Sequence, residues 1–170
     1  MALGLGSEPG QGGQLELSSG RFRTRLSLAP AEGYPELLVP EGEDKGAFPL
    51  RTRMPSGELV KALTHVRYAA SNEVYRAIFR GVQLEFSPQG FRAVASDGYR
   101  LALYDLPLPQ GFQAKAVVPA RSVDEMVRVL KGADGAEADL ALGEGVLALA
   151  LEGGSGVRMA LRLMEGEFPD

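Results

Sequence analysis

Apolar and polar residues alternate along most of this sequence in short runs broken by glycine-rich turns, and that period of two limits the fold more than any other feature. Residues 14–28 read as a β-hairpin about the turn cluster Ser18-Ser19-Gly20. Alternating runs return at 77–86, 91–95, 99–106, 138–142, 146–151 and 157–163, with a short extended piece near 48–53. Between them lie Ser87-Pro88-Gln89-Gly90, Ser96-Asp97-Gly98, Gly143-Glu144-Gly145 and Gly153-Gly154-Ser155-Gly156. The Asp-Gly pair between two alternating runs is a strong hairpin signal.

Only two stretches have helical spacing. Ser56 is a candidate N-cap for a helix whose Leu59, Leu63 and Val66 share one face, leaving Lys61, Thr64, His65 and Tyr68 outside the stripe. A second helix is predicted over 122–131, with Val123, Met126, Val127 and Leu130 inward and Arg121, Asp124, Glu125, Arg128 and Lys131 exposed. The order helix, strands, helix, strands predicts an α+β domain with two helices packed on one face of antiparallel sheet.

Residues 29–57 are rich in Pro, Gly and acid and read as a connector, with a boundary near 41–46. The chain has one histidine and no cysteine, which excludes disulfides, thiolate nucleophiles and Cys-ligated metal. Ser96-Asp97 lies in a turn, and the glycines at 153–156 separate strands rather than a strand from a helix, so neither resembles a catalytic or phosphate-binding constellation. No enzyme activity and no cofactor are expected. A net charge of −4 argues against a simple basic nucleic-acid-binding domain but allows a local basic face. Four lysines among 18 basic residues, and Asn72 as the single asparagine, suit a thermophile or a GC-rich genome. No run is long and apolar enough to span a bilayer or serve as a signal peptide, so a cytoplasmic protein without a membrane partner is the default.

Two segments echo one another. Arg23 to Pro35 and Arg158 to Pro169 each carry Arg, Leu-x-Leu, Glu-Gly, an aromatic residue and Pro. Two similar strand exits or a large repeat unit both account for this. Under the second reading the chain holds the tail of one copy and most of the next.

The run Val94-Ala95-Ser96-Asp97-Gly98-Tyr99-Arg100-Leu101-Ala102 resembles the signature of bacterial sliding clamps, the β subunit of the replicative DNA polymerase III holoenzyme. Val117-Val118-Pro119-Ala120-Arg121 resembles the strand that enters that family's second helix, and Glu165-Gly166-Glu167-Phe168-Pro169-Asp170 its exit motif. The resemblance implies a DNA-clamp (processivity) fold. Residues 1–43 are then the C-terminal remnant of a first clamp domain, a hairpin plus linker, and 44–170 a nearly complete second, central domain. A truncated chain of this kind would leave the hairpin edge at 14–40 open for self-association.

The family's subunits close a ring around duplex DNA, with helices lining the hole, and tether the polymerase. By resemblance Lys61, His65, Arg121, Arg128 and Lys131 face DNA, joined by Tyr75 and Arg76 of a loop at 72–76; the plain alternative is a solvated helix face. Val74 in that polar loop is unexplained. A second implied role is capture of polymerase and clamp-loader peptides in an apolar pocket, which maps onto Phe79, Ser96, Gly98, Tyr99, Arg100, Leu101 and Pro169. Tyr99 stands where many relatives have histidine, which alters the rim. Ordinary sheet core for Phe79 and Leu101, and turn chemistry for Asp97 and Gly98, are the alternatives. A stand-alone peptide-binding module that never encircles DNA is the competing reading of the whole chain.

Overall fold

The computed structural model describes residues 2–6, 13–30, 32, 46–132, 135–151 and 156–169. Contacts divide the chain into two units, Met1–Leu37 and Leu38–Asp170. The boundary expected near 41–46 falls largely outside the described residues, as do the loop half of the first echo segment and most of the glycine run at 153–156.

In the first unit the expected hairpin forms. A strand β1 (Ala2–Gly6), which the sequence reading did not foresee, pairs with β2 (Gln14–Ser19), and β2 pairs antiparallel with β3 (Phe22–Ser27), in the order β1-β2-β3. The open edge of β3 carries Phe22 and Leu26 exposed, with Leu28 just beyond.

The second unit begins with β4 (Leu50–Pro55), which runs straight into α1 (Ser56–Arg67). Pro55, not Ser56, occupies the cap position (φ −56°, ψ 128°), so no side chain caps this helix; Ser56 is buried and its N–H bonds the Ala136 carbonyl at 3.0 Å. A proline suits this place because its fixed φ leads an extended chain into a helix, and its missing N–H falls at the end of an edge strand. Residues 77–86 are not one strand: a 3-10 turn (Ala77–Arg80) precedes β5 (Gly81–Ser87). Then come β6 (Gly90–Ser96), β7 (Leu101–Leu106) and β8 (Ala114–Pro119). The strand-to-helix junction repeats at Pro119 (φ −53°, ψ 135°), where α2 (Ala120–Lys131) starts two residues before the expected position. The unit ends with β9 (Glu137–Gly143), β10 (Val146–Leu151) and β11 (Arg158–Arg162).

The expected antiparallel sheet forms as two four-stranded sheets, ordered β11-β10-β9-β4 and β7-β6-β5-β8. Each half of the unit is strand, helix, three strands, and each half lends its first strand to the other half's sheet. Alternation alone cannot reveal this, because it gives the faces of a strand and not its partners. The helices pack against each other, α1 on β7 and β6 and α2 on β8 and β5. Leu59, Leu63, Val66, Val123, Met126 and Leu130 bury among the inward residues of both sheets, including Leu84, Phe86, Phe91, Leu140, Leu147 and Leu149.

Each outer sheet face has an aromatic lid. Phe48, just before β4, covers Ala141, Val146 and Ala148; Phe168, after β11, covers Val94 and Val117 with Met164 and Ile78. Gly81 makes room for the second arrangement, because a Cβ there would collide with Val117 and lie 2.8 Å from Met164 Sδ. Replacing Gly81 with Ala should therefore lower stability by ~1–3 kcal/mol in chemical denaturation and release the segment around Met164 and Phe168 to proteolysis.

Candidate functional site

The outer face of the β7-β6-β5-β8 sheet is organised in rows by its register. One row is Asp105, Arg92, Glu85, Lys115, with alternating charge across all four strands. Arg92 pairs with Asp105 at 2.6 Å and Lys115 with Glu85 at 3.5 Å, so this row compensates itself. The next row is Leu103, Val94, Gln83, Val117, and the one after it begins Leu101, Ser96. Phe168 covers Val94 and Val117, whereas Leu103 and Leu101 stay 46% and 60% exposed on the edge strand. Three of the four residues in the Leu103 row are thus buried, and Leu103 with Leu101 of the next row leaves the β7 end of this face apolar and open.

The turn joining β6 to β7 borders this open end. Asp97 Oδ1 accepts from the Tyr99 and Arg100 N–H groups at 2.9 and 3.0 Å; Ser96 Oγ accepts from Gly98 N–H at 3.0 Å and donates to the Arg100 carbonyl at 2.9 Å. Gly98 has φ +89°, and a Cβ there would fall on the Arg76 guanidinium. Tyr99, 85% exposed, stands clear of the sheet beneath that guanidinium, which lies 5.3 Å from its ring centroid. Arg76 also lies 6.0 Å from the Phe79 ring, and Phe79 meets Phe168 edge-on at 6.0 Å.

Of the residues assigned to the peptide pocket, Phe79, Ser96, Gly98, Tyr99 and Leu101 therefore gather around Arg76 and the open end of β7. Arg100 reaches away to Tyr68, and Pro169 is exposed beside the buried Phe168. Sequence reading gave no role to Phe168, Leu103 or Val94. Phe168 lay inside the exit motif, and its aromatic character next to Pro was the available signal. A separate cleft of about 470 Å³ lies on the β8 side of Phe168, lined by Gln83, Lys115, Val117, Met164 and Glu167 among others, and contains none of the expected pocket residues.

The residues assigned to DNA divide. Lys61, His65, Arg121, Arg128 and Lys131 are exposed on the two helices. Lys61 pairs with Glu58 at 2.6 Å, which raises its pKa; Arg128 pairs with Glu125; and His65 Nδ1 lies 2.7 Å from the Lys61 carbonyl, with its ring 5.2 Å from that of Tyr104. Arg67 ties the helices together by bonding the Ala120 carbonyl at 2.9 Å and Asp124 at 2.7 Å. Counting α1 (Glu58, Lys61, Arg67) and α2 (Arg121, Asp124, Glu125, Arg128, Lys131), each helix carries +1, so the pair is +2 in a chain of −4. Tyr75 is 92% exposed, but Arg76 turns to the pocket side, donating to the Asp97 carbonyl at 3.0 Å and lying 3.7 Å from Glu73.

Among the described residues no three His, Asp or Glu side chains gather to hold a metal ion, and no helix is long and apolar enough to cross a membrane. Two helices packed side by side on two antiparallel sheets, in two halves of like element order, give the architecture of a clamp domain. Residues 53–170 match the DNA polymerase III beta subunit, central domain, and the chain belongs to that family, which is non-catalytic.

The chain is 30% identical to the beta sliding clamp of Haemophilus influenzae over 155 residues, 91% of this chain and 40% of that protein. It is 28% identical to the Escherichia coli beta sliding clamp over 125 residues, 73% of this chain and 32% of that protein. The solved DNA polymerase III subunit beta of Pseudomonas aeruginosa superposes with a TM-score of 0.82 at 26% identity, over 99% of this chain and 43% of that one. The chain thus spans about 40% or less of the length of the curated relatives cited.

The turn has a pH signature. The Tyr99 and Arg100 amides, and then Arg100's charge, hold the Asp97 carboxyl below the usual carboxylate range. Its contribution to the turn is present above the ordinary carboxylate pKa and is lost as pH falls through the lowered one. NMR titration should show the Tyr99 and Arg100 amides losing protection in that acidic window, and Asp97→Asn should remove the titration.

Proposed function

We propose that this chain is part of a sliding clamp that tethers the replicative polymerase to duplex DNA, with α1 and α2 facing the DNA and the exposed leucines of β7 docking peptides of the polymerase and clamp loader. The observation that carries the peptide half is the open end of β7: Leu101 and Leu103, in successive rows, lie exposed on an edge strand beside a stretch that Phe168 already covers. A short segment with alternating apolar side chains would continue that cover, burying leucine side chains at ~1.5–3 kcal/mol each when fully enclosed. Phe79, Ser96, Gly98, Tyr99, Arg100, Leu101 and Pro169 form the proposed wall.

The DNA half rests on the exposed cations Lys61, Arg121, Arg128 and Lys131, with His65 on α1 and the exposed Tyr75 of the following loop, while Arg76 serves the pocket side. Those cations meet phosphates without reading bases, as sliding requires. Two of them, Lys61 and Arg128, are shared with carboxylates, so contact by this chain alone is weak and steeply salt-dependent. The proposal places the protein in the cytoplasm. Residues 1–43 serve as the end of a preceding clamp domain and 44–170 as the central one. The open β3 edge, with Phe22 and Leu26 exposed, favours self-association through 14–40; light scattering at high concentration should detect a species heavier than the monomer, and a strictly monomeric protein would contradict it.

The peptide reading is tested by polarisation titration of a labelled Gln-Leu-x-Leu-Phe-like peptide against the protein and its Leu101→Asp variant. Saturable binding that weakens at least about tenfold in a variant of unchanged thermal stability is expected. Absence of binding to both proteins would contradict a peptide site carried by this chain.

A further inference from the structure

The connection between α1 and β5 and the turn between β6 and β7 exchange a matched pair of contacts. From the turn, Arg100 donates through Nη2 to the Tyr68 carbonyl at 3.0 Å, and its guanidinium lies 5.7 Å from the Tyr68 ring. From the connection, Arg76 donates through Nη1 to the Asp97 carbonyl at 3.0 Å and lies 5.3 Å from the Tyr99 ring. Each segment sends one arginine to the other's main chain and sets it against the other's tyrosine. Asp97 is common to both halves, because its Oδ2 pairs with Arg100 Nε at 3.0 Å while its carbonyl takes Arg76.

We propose that Arg76 and Arg100 form a reciprocal clasp that positions the peptide-docking turn against the α1–β5 connection, so that the two segments open and close as one unit. Single exposed arginine contacts are weak. Four contacts sharing one carboxylate-capped turn are a network, and loss of one arginine frees the partner the other relies on. Arginine is suited to both places because a planar guanidinium can stack on a ring and donate in its own plane, which a lysine ammonium cannot. Glycine at 98 fits the same arrangement, since any side chain there would push Arg76 off the turn. The clasp also gives a context to Val74 and Tyr75, which sit exposed in the clasped connection: a peptide that fixes Tyr99 and Leu101 also fixes the segment bearing them, and the coupling is reciprocal.

The inference rests on the peptide-site reading for its functional consequence but not for its test. Amide hydrogen exchange on the 170-residue protein should show Arg76→Ala speeding exchange about tenfold in both 68–76 and 97–100, with α2 and the β9–β11 strands unchanged. Arg100→Ala should affect the same two segments, the double variant should add little to either single one, and Arg76→Lys should give an intermediate effect while remaining fully folded. Exchange that rises only in the segment carrying the replaced arginine would overturn the clasp. In the peptide titration Arg76→Ala should weaken binding about tenfold at unchanged melting temperature. If the unaltered protein binds no peptide, the pocket reading fails while the exchange result still decides the clasp.

Discussion

The domain depends on an exchange of strands between its halves. β4 belongs by sequence to the first half but completes the sheet of β9, β10 and β11; β8 begins the second half but completes the sheet of β5, β6 and β7. Both exchanged strands end at a proline and become a helix without a loop. Pro55 pairs with Glu137 and Pro119 with Gly81, so the register of each borrowed strand also fixes where its helix starts. Neither half can bury its helix without the other's sheet edge, which makes the unit one cooperative body. The helices are drawn side by side, and the outer sheet faces are left to be covered by Phe48 and Phe168.

From that exchange follow two surfaces of different chemistry. The helix pair presents long charged side chains, of which Lys61 and Arg128 are paired with neighbouring carboxylates, a surface suited to loose contact with a polyanion. The outer face of the β7-β6-β5-β8 sheet presents a self-neutralised charge row and, in the next two rows, Leu103 and Leu101, which stay exposed. Arg100 spans from the docking turn to the main chain at the end of α1, so the two surfaces are joined by side chains as well as by the core.

The sequence made the classes of element plain and left their partners hidden. Leu59, Leu63 and Val66 marked α1, and Asp97-Gly98 marked the hairpin turn, because those signals are local. Ser56 misled as a cap because a serine before an apolar stripe is the common start signal, whereas this helix starts from a strand through Pro55. Two sheets could not be told from one, since the pairing of β4 with β9 spans most of the unit. At the candidate site the family motif pointed to Ser96, Gly98, Tyr99 and Leu101, which are neighbours in one hairpin. It did not lead to Phe168 over Val94 or to Arg76 against Asp97, contacts between residues far apart in sequence with no periodic trace.

On the proposed reading, one domain offers two separate binding faces. The most direct measurement is amide chemical-shift mapping of the isotope-labelled protein, first with duplex DNA at low salt and then with the peptide. DNA-induced shifts should fall on the exposed sides of α1 and α2, around Lys61, Arg121, Arg128 and Lys131. Peptide-induced shifts should fall at Phe79, along 96–103 and at Phe168, extending into 68–76. Shifts from both ligands on the same face, or peptide shifts confined to the helices, would contradict it.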